Sequence, residues 1–401
     1  MFKFDFGVVS TTSKSAAFTL TISSRPQDED DQDGEVRVGE TSAAEDASNG
    51  ETSAHAARYR TISLDELIEK LPPMISFSEM ELPFETTGCK LYRRDLYDAR
   101  FQVIDEMDDD EEEEDSPSKS VLEQEDQETS KYVNADTDLI PGTYEGGLKT
   151  WEGGMDLVEI LEDQHHRITG GLGSWVKGKR VLEVGCGTGL PSIYILHRLL
   201  ELETPFEEET EIHLQDYNVS VLQLVTLPNL ILATMSEESL EPLESNLELT
   251  EEVIQDFRDR LQRARIKLSF SYGDWSGFAQ TLQDAQSENA YDLVLTAETI
   301  YRLDSVPSLI QVLKNAPRHV EGGEIDATVP RDVTTALDNL SLQKPWRPQD
   351  VVTLVAAKIL YFGVGGGMQD FIYSVERNQG TVENVKTWST GVGRQVVRLH
   401  W

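Results

Sequence analysis

An open, mostly parallel α/β sheet with helices on both faces is the fold this sequence predicts, and three observations carry the prediction. From Arg180 onward, short apolar runs alternate with stretches of helical periodicity, the pattern of strands joined by crossover helices. The first run, Val181–Val184, breaks into glycines at 185, 187 and 189 before Leu190, Ile193, Ile195 and Leu196 open a helix-like pattern. Polar clusters at 183–189, 215–218, 273–275, 296–301 and 361–367 all fall at or just after the ends of expected strands. In sheets of this kind the ligand sits at those carboxyl ends.

The elements follow in chain order. Residues 24–57 are mostly Ser, Asp, Glu, Gly and Ala, too poor in large apolar side chains to offset chain entropy, so disorder is expected. Thr61–Leu71 reads as a short helix with Ser63 as N-cap and Leu64, Leu67, Ile68 and Leu71 on one face. It belongs to a more apolar island, 58–104, which is too short for a large core of its own and is expected to be a docking segment or a poorly ordered arm. Asp105–Asp115 is acidic at every position but Met107, which predicts a solvated, self-repelling run; holding a basic protein is a secondary reading. Composition changes near Lys131, dividing the chain into an acidic, largely disordered region, 1–130, and a ligand-binding domain, 131–401.

Within that domain Met155–Leu161 has helical periodicity, Ile212–Leu214 reads as a strand, Val221–Leu227 as a helix and Leu230–Ala233 as the start of another strand. Val253, Phe257 and Leu261, four apart, predict an amphipathic helix. Ile266–Phe270 and Tyr291–Thr296 read as strands and Pro307–Leu313 as a helix. Gly, Asp, Pro and Thr break the pattern over 321–350, predicting a surface insertion. Val351–Ile359 is a strong strand, and Phe371–Val375, Val385–Ser389 and Val396–His400 suggest a helix and an antiparallel strand pair.

The bulk properties exclude several classes. The net charge is −38 over 401 residues; residues 1–130 hold 33 acidic and 12 basic residues, a net of −21, which leaves −17 for the rest. Such acidity argues against direct nucleic-acid binding and suits a basic partner. Cys89 and Cys186 are the only cysteines, no disulfide framework, so a reducing compartment is expected. The opening residues carry no basic flank followed by a sustained apolar region, and no run of about 18 apolar residues occurs, so neither a secretory signal nor a membrane span is expected.

The glycine turn chooses the ligand. A dinucleotide site wants Gly-x-Gly-x-x-Gly, but the third glycine, Gly189, comes one residue early and Leu190 stands in its place. Glu183, two residues before the first glycine, suits a ligand carrying a cation better than a pyrophosphate. This Glu-x-Gly-x-Gly-x-Gly stretch resembles the first motif of the seven-stranded, Rossmann-like methyltransferases that use S-adenosylmethionine. The resemblance implies that Glu183, Gly185 and Gly187 hold the methionine end of that cofactor. It implies that Asp216 grips the ribose hydroxyls and that Asp274 and Trp275 lie on the adenine side.

Further motifs narrow the resemblance. Leu139–Glu152 (Leu-Ile-Pro-Gly-Thr-Tyr-Glu-Gly-Gly-Leu-Lys-Thr-Trp-Glu), Gln215–Asn218, Val225–Asn229, Gly273–Trp275, Glu298–Tyr301 and Tyr361–Gly367 together look like the protein-histidine N-methyltransferase family, from about residue 138 to the C-terminus. The positions matching that family's cofactor contacts are Thr150, Trp151, Glu152, Gly153, Gly154, Gly185, Gln215, Asp216, Tyr217, Gly273, Asp274, Trp275 and Thr296. The chain departs from the family pattern in Glu183 for the more usual Asp, in Ala297 where Ser is common, and in the 321–350 insertion. The resemblance implies a basic substrate, a large-subunit ribosomal protein, and a cytoplasmic and nuclear location; a monomer is expected.

The chemistry asks little beyond positioning. A neutral imidazole is already a large fraction of histidine near neutral pH, so in-line placement matters more than a strong base. An acceptor for the other ring N–H fixes the tautomer, and Glu298 is the candidate, with Tyr301 and Phe362 as walls and Gly363, Gly365 and Gly366 letting backbone close over the substrate. The rival readings are a lysine methyltransferase, because Glu298-x-x-Tyr301 also resembles the acid-x-x-Tyr motif of that group, and a non-catalytic module that holds a basic client. His165-His166 has no accompanying ligand cluster; exposed or capping histidines, and no metal, are expected.

Overall fold

The computed structural model describes residues 58–86, 88–97, 99, 147–202, 207–240, 245–285, 290–318, 344–361 and 366–401. The expectations for 1–57, for the acidic run and its linker, and for 321–343 lie outside the described residues, as do Phe362, Gly363 and Gly365.

Eight strands form the main sheet: β1 (Arg60–Ile62), β4 (Arg180–Val184), β5 (Thr210–Asp216), β7 (Ile266–Tyr272), β8 (Leu293–Ala297), β9 (Val352–Lys358), β10 (Thr381–Trp388) and β11 (Arg394–His400). Their order is β1-β7-β5-β4-β8-β9-β11-β10. Five adjacent strands, from β7 to β9, are parallel, and β11 and β10 close that side antiparallel. Seven of the eight expected strands are present in this sheet. Its remaining strand is β1, which pairs antiparallel with β7 through Arg60↔Tyr272 to Ile62↔Phe270.

Alternation along the strands feeds two apolar layers, because successive side chains point to opposite faces. Val181 joins one core cluster while Leu182 and Val184 join the other. On the first face lie α2 (Glu152–Arg167), α3 (Gly171–Val176), α4 (Leu190–Leu200), and a helical run made of α5 (Val219–Val221), a π-helical turn (Leu222–Thr226) and α6 (Leu227–Thr234). The short α7 (Glu237–Leu240) and the amphipathic α8 (Glu251–Arg263) follow, α8 burying Phe257 and Leu261. On the second face lie α9 (Trp275–Ala285), α10 (Val306–Asn315) and α11 (Met368–Arg377). The helix expected at Val253–Leu261 and the C-terminal helix and strand pair are therefore present.

Three expectations are corrected. The island 58–104, over its described residues, is neither a loose arm nor a docking segment. Beyond β1 it contributes α1 (Leu64–Glu69), β2 (Met74–Glu79) and β3 (Tyr92–Arg94), and β2 lies between β3 and β6 (Asn246–Glu248) in a small second sheet. Leu67, Ile75, Phe77, Cys89 and Leu91 belong to the main core, and Tyr59 stacks on Phe278 at 4.8 Å. The island's apolar residues are too few to make a core but enough to complete one. Ser63 does cap α1, through a reciprocal capping box with Glu66.

The stretch Leu230–Ala233 is helix, not strand. It is apolar all round and buried, and a short apolar run of that kind has no periodicity to tell the two apart. Finally, 344–350 is mostly exposed, as a surface insertion should be, but Trp346 within it is not. Trp346 is buried against Trp175 with ring centroids 5.0 Å apart, its backbone N–H donating to Gln164 (3.0 Å), and Trp175 Nε1 donates to the Arg347 carbonyl (2.8 Å).

Candidate active site

The site grows from the carboxyl ends of β4, β5, β7 and β8. After Val184 the chain turns through Gly185, Gly187 and Gly189, all at positive φ (61°, 50° and 70°), and enters α4. A side chain at Gly185 would clash: its Cβ would lie 2.6 Å from Thr299 Cγ2. Residues 147–150 cross this turn closely. A Cβ on Gly187 would lie 3.2 Å from the Gly147 carbonyl oxygen, and Thr150 Oγ1 sits 3.3 Å from Thr188 Oγ1.

Gln215 is the buried hub. Its Oε1 accepts from the Gly185 N–H (3.3 Å) and Trp275 Nε1 (3.0 Å), and its Nε2 donates to the Asp216 and Gly273 carbonyls (2.8 and 3.0 Å). Asp216, at the end of β5, accepts the Gly187 N–H on Oδ2 (2.9 Å) and the Asn218 N–H on Oδ1 (3.1 Å). Tyr217 follows it, half-buried, and the Gly273 N–H donates to the carbonyls of Asp216 and Tyr217 (both 3.1 Å). Thr296 Oγ1 donates to the Val184 carbonyl (2.7 Å) and lies 2.7 Å from Thr299 Oγ1, tying β8 to β4 below the turn.

Two predicted residues are engaged by neighbouring helices. Glu183 is buried and its Oε2 accepts the backbone N–H of Ser192 (3.0 Å) and the Ser192 hydroxyl, so in this structure it braces α4 beneath the turn. Burial raises its carboxyl to about 7 despite those donors. Asp274 caps α9, its Oδ1 accepting the N–H groups of Ser276 and Gly277 (2.7 and 3.1 Å).

Glu298 lies just past β8. It is 9% exposed and sits at φ 57°, a left-handed conformation that side chains beyond Cβ disfavour. Three contacts hold it there. Its N–H donates to the Ala356 carbonyl (2.9 Å), its Oε1 accepts the Gly153 N–H (3.1 Å) and its Oε2 accepts the Tyr361 hydroxyl. Gly153 is needed for this approach, since a Cβ would meet Glu298 Cγ at 3.0 Å and Ala356 O at 3.3 Å. Burial raises the Glu298 carboxyl above its ordinary range, against the opposing pull of the Tyr361 hydroxyl and Lys358.

Around it, Trp151 precedes α2 with the Lys149 and Lys358 ammonium groups each 4.7 Å from its ring centroid, and Glu152 meets Lys358 at 3.6 Å. Burial opposes ionisation of Glu152, but a backbone N–H and Lys358 outweigh it and its carboxyl lies below the usual range. Gly154 N–H donates to the Trp151 carbonyl (3.1 Å) in the first turn of α2. Tyr301 meets Tyr361 edge-on at 6.4 Å, and Gly366 packs under the Tyr301 carbonyl, where a Cβ would come within 2.5 Å. The sequence reading missed Tyr361. It begins the same aromatic–glycine motif that supplied Phe362, and no local signal separates the two. His165 does act as a cap: its Nδ1 accepts the Leu172 N–H (3.3 Å) at the start of α3. Among the described residues no cluster could hold a metal, and no helix is long and apolar enough to cross a membrane.

The donor set fits S-adenosylmethionine. The Cβ-free turn lets a ligand reach backbone, and the Asp216 carboxylate at the end of β5 is an acceptor of the kind that ribose hydroxyls need. Trp275, linked to Gln215, offers a flat partner for a purine, and acidic side chains suit the ligand's cations. Fold and site together define an S-adenosylmethionine-dependent methyltransferase of the Rossmann-like type.

The comparisons narrow this. A family model described as "Lysine methyltransferase" matches residues 141–320. The histidine protein methyltransferase 1 of Saccharomyces cerevisiae is 30% identical over 74% of this chain and 72% of its own length. The enzyme of the same name from Schizosaccharomyces pombe is 28% identical over 87% of each chain, and the Bos taurus homologue is 30% identical over 67% of this chain and 59% of its own length. The chain belongs to the histidine protein methyltransferase 1 family and is an S-adenosylmethionine-dependent protein-histidine methyltransferase. The lysine-type match ends at residue 320, before β9 and Tyr361.

Proposed function

We propose that this enzyme methylates a histidine ring nitrogen of a basic protein, a large-subunit ribosomal protein, with Glu298 orienting the imidazole. The observation that carries the reading is the Glu298 carboxylate, held at φ 57° between the Gly153 N–H and the Tyr361 hydroxyl at the end of β8, beside the glycine turn. Bound S-adenosylmethionine supplies an electrophilic methyl group on a sulfonium. The chain's own residues do the rest. Glu298, with acceptor capacity beyond its two present donors, takes the N–H of the neutral imidazole and so leaves the opposite nitrogen's lone pair as nucleophile. That N–H becomes more acidic as the ring acquires the methyl group, so the carboxylate stabilises the developing positive charge. Tyr301 and Tyr361 flank the ring. Such placement is worth on the order of 7–11 kcal/mol when it replaces a bimolecular encounter.

Asp216, Tyr217, Gln215 and Trp275 form the ribose and adenine side, and Thr150–Gly154 covers the methionine side. The charge of −38 favours encounter with a basic client and disfavours nucleic acid. A ribosomal client places the enzyme in the cytoplasm and nucleus, acting as a monomer away from membranes. The test is incubation of wild type, Asp216→Ala and Glu298→Gln with labelled cofactor and unmethylated large-subunit proteins, followed by mapping of the label. Asp216→Ala should lose cofactor binding, and Glu298→Gln should bind cofactor but transfer at least 10-fold more slowly. Label on lysine with unmodified histidine, or equal labelling by all three proteins, would overturn the reading.

A further inference from the structure

Large apolar side chains left in water are scarce among the described residues and unevenly placed. Met74, Tyr97, Leu303, Ile359, Leu360, Tyr373 and Val392 are the exposed ones, and four of these seven surround the carboxyl ends of β8 and β9. Leu303 is 52% exposed, Ile359 41%, Leu360 52% and Val392 46%. They sit on connected backbone. The Ile359 N–H donates to the Gly393 carbonyl (2.8 Å), so the β10–β11 turn carrying Val392 lies against the end of β9. Leu360 bridges to Gly367, and Gly366 packs beneath the carbonyls of Ile300 and Tyr301, two residues before Leu303. In this belt Leu303, Ile359 and Leu360 lie within two residues of Tyr301 or Tyr361, and the Tyr361 hydroxyl donates to Glu298.

Charges along the belt are already matched. Arg302 pairs with Asp304 (2.5 Å), Lys358 with Glu152 (3.6 Å), and Arg394 with Asp156 (2.7 Å). The belt therefore offers apolar area without a net demand for acid or base. Exposed apolar side chains gathered beside a site mark an interaction surface. The substrate of this family is a protein, so polypeptide must cover this rim whenever a histidine reaches Glu298.

We propose that Leu303, Ile359, Leu360 and Val392 form the docking belt for the substrate's polypeptide and select histidines flanked by large apolar residues. The overall acidity brings a basic protein to the enzyme, and the belt then reads the few residues beside the histidine. This inference rests on the placement of the acceptor imidazole at Glu298.

The test uses fluorescein-labelled 13-residue synthetic peptides with one central histidine, flanked by Leu and Val in one series and by Ser and Asn in the other. Anisotropy with the full-length enzyme should show at least 10-fold tighter binding of the Leu/Val series. Leu303→Asp and Leu360→Asp should each remove most of that preference while labelled-cofactor binding stays at the wild-type level, which also shows that the variants fold. The milder Leu360→Ser should lose part of it. Equal binding of both series by wild type, or a preference that survives both Asp variants, overturns the belt. Glu298→Gln should keep the binding preference while methyl transfer falls, so failure of the acid's role and failure of the belt read out separately.

Discussion

Tyr361→Phe removes a single oxygen, the hydroxyl that donates to Glu298 Oε2. A hydrogen bond to a charged group is worth about 1.5–3 kcal/mol, and 1.36 kcal/mol corresponds to one pKa unit. Glu298 is nearly buried and its carboxyl is already raised, with the Tyr361 hydroxyl among the groups that hold it down. Deleting that hydroxyl should raise it further. If the ionised carboxylate accepts the imidazole N–H, the acid limb of kcat/KM moves to higher pH with it. On that limb the variant is about 10- to 100-fold slower, and it recovers on the alkaline plateau.

The stability sign is consistent. A carboxyl whose folded pKa exceeds its unfolded value of 4.5 keeps a proton that the unfolded chain has already lost, so its contribution falls as pH rises through that window. The variant extends the window upward. A pH profile of kcat/KM against a fixed acceptor protein, with cofactor saturating, reads the limb directly. An unshifted limb, whether or not the plateau falls, refutes the reasoning, because lost packing alone would lower rates at every pH.

Two further outcomes test the parts beneath the site. Glu183 is fully buried with its carboxyl raised from 4.5 to about 7, so ionising it costs the folded state about 3 kcal/mol across that interval. Glu183→Gln, which can still accept the Ser192 N–H, should match wild type near pH 4.5 and gain relative stability up to about pH 7, then level off; denaturant titrations at a series of pH values would show a flat difference if the carboxyl is not so perturbed. Trp346→Ala should lose about 3–5 kcal/mol in the same assay, because Trp346 packs on Trp175 in the core. A loss below about 1 kcal/mol would mean that Trp346 is surface after all.

What the sequence determined by itself is what local pattern can encode. Strand and helix alternation from β4 to β9, the turn at Gly185–Gly189 and the acid ending β5 are written in consecutive residues, because periodicity and positive-φ positions are properties of short segments. With the motifs around them, they also indicated the cofactor. Tertiary structure decided the rest. Residues 58–97 were too sparse to read as a fold on their own, and only pairing of β1 with β7 and burial of Leu67, Ile75 and Phe77 against distant helices gave them one.

Glu183 looked like a ligand contact from its spacing, but whether a strand-end carboxylate faces the ligand or the adjoining helix depends on where Ser192 arrives. Glu298 was legible as an acid in a motif. Its left-handed backbone, its clamp by Gly153 and its hydrogen bond from Tyr361 were not, since those partners come from segments far away in sequence and meet only when α2, β8 and β9 pack together.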